Sequence, residues 1–199
     1  LVNNGIKNFK SFKKLKNHTK LQQLGIKYYE KLSRPTPPIF KKIKEVIVKN
    51  INNILKFEIA GSFRTGNLNP GDIDIIICTK NGDIEPILEL LLDKKIIQDY
   101  IKPGSNDIFG VIKIREKFYR LDIKCTIPKY FYSYLLYFGS GKYFSKYIRG
   151  IAKEKGYKLN QYGLVNLKNN ELRTFRSEKA IFTVLGLKYY TPEERVKYF

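Results

Sequence analysis

The segment from Gly71 to Thr79, GDIDIIICT, constrains the fold of this chain more than any other. In an extended strand successive side chains point to opposite faces, so Asp72 and Asp74 share one face while Ile73, Ile75 and Ile77 share the other. An isoleucine row of that kind must be covered, so the strand needs a core behind it and leaves its aspartates on the open side. A second segment repeats the pattern: Tyr119, Leu121, Ile123 and Cys125 alternate with Arg120, Asp122, Lys124 and Thr126. If the two strands are neighbours, Asp122 joins Asp72 and Asp74 on one polar face of a sheet. The same alternation puts Cys78 on the aspartate face and Cys125 on the other, which argues against a disulfide between them.

Helical periodicity surrounds these strands. Residues 9–32 are rich in lysine and apolar residues, and three prolines in SRPTPP end that run. A second helix is expected from Ile39, Ile43, Val46, Ile47, Ile51, Ile54 and Leu55, one apolar stripe beneath a lysine-rich face. Phe57 to Ala60 then enters a Gly-Ser turn as a strand, IEPILELLLDKKIIQDY has helical length and stripe, and Val111–Arg115 with Phe118–Ile127 forms a hairpin. The last part begins helical around YFYSYLLYF and KYFSKYIRGIAKEKG and becomes short and turn-rich. This order gives an α+β fold: a helical segment over 1–56, a mixed-sheet unit over 57–128 and a small carboxy-terminal α/β lobe over 129–199.

Charge follows the same division. Lys and Arg outnumber Asp and Glu by 14 to 2 over residues 1–56 and by 14 to 5 over 129–199, but stand at 10 to 11 over 57–128. An even solvated coat would spread the acids, whereas here they concentrate in the middle of a chain of net charge +20. Such a surplus attracts polyanions, nucleic acid first and an acidic membrane surface second. No apolar run is long enough to span a membrane and no secretory pattern is visible, so a soluble intracellular protein is expected, with nucleus or viral or host cytoplasm left open. The single histidine, His18, and two cysteines without ligand spacing exclude the usual zinc sites and a histidine-dependent nucleophile.

Converging carboxylates repel one another and are hard to ionise together without cations. Two hard divalent ions, Mg²⁺ with Mn²⁺ as a substitute, resolve that conflict, because they take carboxylate and phosphate oxygens. The turn before the aspartates suits phosphate: Ser62 offers a hydroxyl, the backbone offers N–H groups, Arg64 is nearby, and Gly66 and Gly71 let the backbone approach a ligand. The GSGK from Gly139 to Lys142 lacks the flanking residues of a P-loop and is set aside.

Gly61 to Gly66, GSFRTG, followed by Gly71 to Asp74, GDID, and then YRLDI, LLYFGSG, FSKYIR, AKEKGYKLNQYGL and LGLKYYTPEER in order, resembles the X family of DNA polymerases, the DNA polymerase beta group of nucleotidyltransferases. The resemblance covers nearly the whole chain, and GIKYYEKL resembles the end of that family's fingers region, so Leu1 is expected just beyond a second helix-hairpin-helix. It implies a nucleotidyltransferase-type palm and transfer of a dNMP from dNTP to the 3′-OH of a DNA primer-template or gapped DNA, by a monomer. Asp72 and Asp74 would bind both metals and Asp122 the catalytic one, assisting deprotonation. Ser62 and the Gly71 backbone would contact the triphosphate, Tyr137 and Phe138 the sugar, and Lys146 and Arg149 the DNA. No deoxyribose-phosphate lyase activity is expected, because the lyase domain is absent from these residues. The sequence departs from the family where Thr65 replaces an arginine, where Phe138-Gly139-Ser140-Gly141 shifts a serine, and where Lys124 and Gln161 replace an Arg–Glu switch pair. Template-independent terminal transfer and a catalytically silent DNA-binding module are the alternatives to gap filling; keeping all three aspartates argues against the last.

Overall fold

The computed structural model describes residues 8–199; the first residues of the expected 1–56 segment lie outside them. Two short helices, α1 (Phe9–Lys13) and α2 (Lys20–Tyr28), begin at capping boxes built on Asn8 and Thr19. Helix α3 (Pro37–Asn50) starts at two prolines, whose fixed φ suits a first turn that needs no N–H.

A five-stranded sheet follows in the order β1–β2–β5–β4–β3, from β1 (Ile54–Ile59), β2 (Ile73–Thr79), β3 (Ile97–Ile101), β4 (Asp107–Ile114) and β5 (Lys117–Thr126). β2 and β5 are parallel and every other pair is antiparallel, so the sheet is mixed. Its turn chemistry is local: Arg115 and Glu116 both take positive φ, as a two-residue hairpin between β4 and β5 requires. One-turn helix α4 (Gly61–Arg64) joins β1 to β2, and α5 (Glu85–Asp93) follows β2.

Two expected elements end early. The stripe read as one helix through Leu55 stops at Asn50, whose side-chain amide bonds the Val46 carbonyl, and Ile54 and Leu55 open strand β1 instead. Pairing with β2 outweighs the helical spacing there. The expected boundary at 56/57 therefore falls inside β1. Likewise the helix expected over IEPILELLLDKKIIQDY ends near Lys95, at φ +51, and Ile97–Ile101 pairs with β4.

The back of the sheet is apolar as the alternation predicts. Ile73, Ile75, Ile77, Leu121, Ile123 and Cys125 pack with Phe40, Ile43 and Ile47 of α3 and with Ile87 and Leu91 of α5, all at most 2% exposed. Each such isoleucine contributes roughly 1.5–3 kcal/mol by leaving water. Helix α3 thus belongs to the core of the sheet unit. Cys78 lies on the opposite face with Ile76, and both cysteines are free.

The front of the sheet is covered only at its sides. Helix α6 (Phe131–Phe138) lays Phe131, Tyr134 and Leu135 on Ile76 and Cys78. Helix α2 lays Leu24 and Tyr28 on Val111. Between them the polar row stays open. The carboxy-terminal lobe comprises α7 (Lys142–Glu154), the antiparallel sheet β6 (Tyr157–Asn160), β7 (Gly163–Asn166) and β8 (Leu172–Arg173), then α8 (Glu178–Val184) and α9 (Pro192–Lys197). Its separate core is built on Phe144, Ile148, Leu164 and Phe182. Among the described residues no helix is long and apolar enough to cross a membrane.

Candidate active site

Asp74 and Asp122 are direct register partners across the parallel pair β2–β5, so both side chains leave the sheet on the same face. Asp72 sits just before β2, in the bend that enters it. The structure thus brings the three expected aspartates to one patch in the gap between α2 and α6. A recess of about 210 Å³ opens there, lined by Gly61, Asp74, Asp122, Lys124 and Phe138 among others.

Each carboxylate meets a different environment. Burial, then repulsion from Asp72 and Asp122, pushes the Asp74 carboxyl up to about 7. Burial also raises Asp122, against Lys124, whose Nζ stands 3.2 Å from Asp122 and 3.8 Å from Asp107. Asp72 is paired with Arg120. The Lys124 ammonium lies 4.7 Å from the centre of the Phe138 ring, which floors the recess.

The donors are hard carboxylate oxygens that repel one another, the chemistry a divalent cation relieves. Among the described residues, however, no group of three or more acidic, histidine or cysteine side chains is gathered closely enough to hold an ion. The reason is visible: Arg120 holds Asp72 and Lys124 holds Asp122, each standing in for positive charge. The residue types fit a metal, and the outer two would have to exchange a side-chain cation for it.

Gly61 is demanded by this geometry. It takes φ +57 at the start of α4, and a Cβ there would collide with the Asp74 carboxylate. The Ala60 N–H donates to the Asp74 carbonyl at 2.9 Å, locking the turn onto β2. Ser62, exposed on α4, lines a larger cavity of about 760 Å³ with Thr65, Gly66, Tyr137, Phe138 and Lys142. Thr65 folds back, its hydroxyl donating to the Ser62 carbonyl at 2.9 Å. Gly71 has open space where a Cβ would stand, so nothing in the protein's own packing demands glycine there.

Arg64 does not face either cavity, contrary to its expected place at the triphosphate. Its guanidinium donates to Glu178 at 2.6 Å and to the Gly139 carbonyl at 3.2 Å, tying the Gly61–Arg64 turn to the carboxy-terminal lobe. Arg195, fully buried, donates to the same carboxylate at 2.8 Å and to the Ser140 hydroxyl at 2.9 Å. Sequence reasoning missed this Arg64–Glu178–Arg195 cluster, because only tertiary folding joins positions so far apart. Arg120 was legible in principle, two residues before Asp122 on the same strand face.

Tyr137 and Phe138 stand edge to face, 5.0 Å between centroids, at the end of α6. Lys146 and Arg149 lie on the exposed side of α7, outside both cavity linings, with Arg149 5.7 Å from the Tyr137 ring.

The family model of the DNA polymerase beta palm matches residues 38–128 and that of the thumb residues 134–196. The palm match takes in α3, in keeping with its packing. DNA polymerase lambda of Rattus norvegicus is 25% identical over 96% of this chain and 38% of its own length. The DNA polymerase/3′-5′ exonuclease PolX of Bacillus subtilis is 30% identical over 79% of this chain and 27% of its own. The DNA nucleotidylexotransferase of Xenopus laevis is 27% identical over 94% of this chain and 47% of its own. The chain thus spans less than half the length of each of these relatives. With a palm and a thumb matched in order along most of its length, the chain belongs to the X family of DNA polymerases.

Proposed function

We propose that this chain is a DNA-directed DNA polymerase of repair type that fills short gaps as a monomer. The observation that carries the reading is the pairing of Asp74 with Asp122 in register, beside Asp72 and under the Gly61–Ser62 turn. The primer 3′-oxygen attacks the α-phosphorus of a dNTP, the bond to the β-phosphate oxygen breaks, and pyrophosphate leaves. Asp72, Asp74 and Asp122 would hold Mg²⁺, with Mn²⁺ as a substitute, and the bound ions supply charge stabilisation at the transferred phosphoryl group.

The chain's own residues do the rest. Asp122, whose carboxyl is raised above its ordinary value by burial, takes the proton of the 3′-OH. Ser62 and the Gly71 backbone hold the triphosphate, while Tyr137 and Phe138 present a rigid aromatic wall to the sugar. Lys146 and Arg149 hold the DNA from the exposed side of α7. Arg64 is assigned to the turn's support and not to the nucleotide.

The test is single-nucleotide incorporation on gapped DNA with Mg²⁺ and each dNTP in turn. Incorporation of only the templated base, lost in Asp74→Ala and Asp122→Ala with DNA binding kept, is the expected result. The likeness to a nucleotidylexotransferase supports a second reading, terminal transfer; incorporation that ignores the template base would establish it. Salt-sensitive DNA binding with no incorporation on any substrate would leave a silent binding module.

A further inference from the structure

A third recess, of about 530 Å³, lies beside Lys56 of β1, away from the Gly61–Arg64 turn, where the sheet meets the carboxy-terminal lobe. Lys56 on β1, Lys129 in the turn after β5 and Arg176 in the loop before α8 line it, with Tyr132, Thr174 and Phe175. Lys56 is the register partner of Cys78, four residues beyond Asp74 on β2, so the recess lies roughly 13 Å along the strand from the carboxylates.

Three cations from three elements converge there and no carboxylate is among the lining residues. Among the described residues none of the three makes an ion pair, which they share with most lysines and arginines of the chain; what sets the recess apart is that they converge in it. Lys56 is held rather than free. Its Nζ stands 4.2 Å from the centre of the Tyr132 ring and 5.1 Å from that of Phe131, and donates to the Tyr132 hydroxyl at 2.9 Å. Accepting that bond leaves the Tyr132 hydroxyl hydrogen free to donate, and Thr174 brings a second hydroxyl. Like charges gathered without a counter-ion repel, and an anion with several acceptor oxygens relieves them.

We propose that this recess binds the phosphodiester backbone of a nucleic-acid strand running beyond the catalytic cleft. A phosphate meets Lys56, Lys129, Arg176 and the two hydroxyls at once, and a polyanion gains most because releasing condensed counter-ions favours its binding. The proposal rests on the reading that the chain holds DNA, but not on its chemistry, so binding and incorporation are read separately.

The experiment uses the full chain, the Lys129→Ala/Arg176→Ala variant, and Lys56→Gln as an independent one. Both cations of the double variant are exposed, and matched melting profiles check that the fold is kept. Dissociation constants are measured by fluorescence anisotropy against salt, on gapped DNA trimmed to the cleft and on the same DNA with long flanks at both ends. On flanked DNA the double variant should lower the slope of log K against log salt by about 1.4 to 1.8 and weaken binding on the order of tenfold. Lys56→Gln should do about half as much. On trimmed DNA, affinity and single-nucleotide incorporation should not change. Equal slopes for wild type and both variants on flanked DNA would overturn the proposal. So would a matching loss on trimmed DNA, or displacement of the flanks' contribution by millimolar inorganic phosphate as effectively as by added DNA, which would mark a small-anion site.

Discussion

Replacing Asp74 by asparagine should stabilise the fold while abolishing incorporation, with a definite dependence on pH. The carboxyl is pushed up to about 7, by burial first and then by Asp72 and Asp122. From its ordinary value of 3.8 that is a rise of roughly three units, or about 4 kcal/mol at 1.36 kcal/mol per unit. The folded form holds its proton more tightly than the unfolded one. Stability from this group is therefore complete below pH ~4, falls as pH rises towards 7, and is fully lost above that. Asparagine keeps the shape and removes the titration. In urea unfolding without divalent cations, Asp74→Asn should exceed wild type by up to about 4 kcal/mol at pH 8 and by about 1 to 2 kcal/mol at pH 5. Adding Mg²⁺ at pH 8 should raise the wild type towards the variant and leave the variant unmoved. An advantage equal at both pH values, or a wild type indifferent to pH between them, would refute the account of a carboxylate strained by burial and like charge.

Other substitutions test the parts separately. Gly61→Ala forces a Cβ onto the Asp74 carboxylate at a positive φ, and should cost about 1–3 kcal/mol and at least 100-fold in incorporation, measured by melting and single-turnover kinetics. Glu178→Gln strips the carboxylate from Arg64 and from the fully buried Arg195; it should cost about 3–5 kcal/mol and lower the melting temperature by roughly 10 °C. Lys124→Met removes the charge that holds Asp122 down, so that carboxyl should rise further and the pH–rate profile should move to higher pH, with activity recovering in alkali.

The sheet and the site were legible in the sequence to the extent that they depend on a period of two. The alternation in GDIDIIICT and YRLDIKCT already puts Asp72, Asp74 and Asp122 on one face and the isoleucine row on the other, because the pleat leaves no third option. Likewise the spacing of GSFRTG and GDID carries the family. What the period does not contain is partnership. Ile54 continues a helical stripe by spacing, yet opens a strand because Thr79 of β2 offers it a backbone partner, with Leu55 taken up in the register shift that follows. Arg64 ends the Gly61–Arg64 turn beside the aspartates in sequence, yet is drawn to Glu178, more than a hundred residues away, because a buried carboxylate between two arginines is a deeper well than open solvent. Local alternation therefore decided which side chains share a face, while long-range electrostatics and packing decided which of them are free to act.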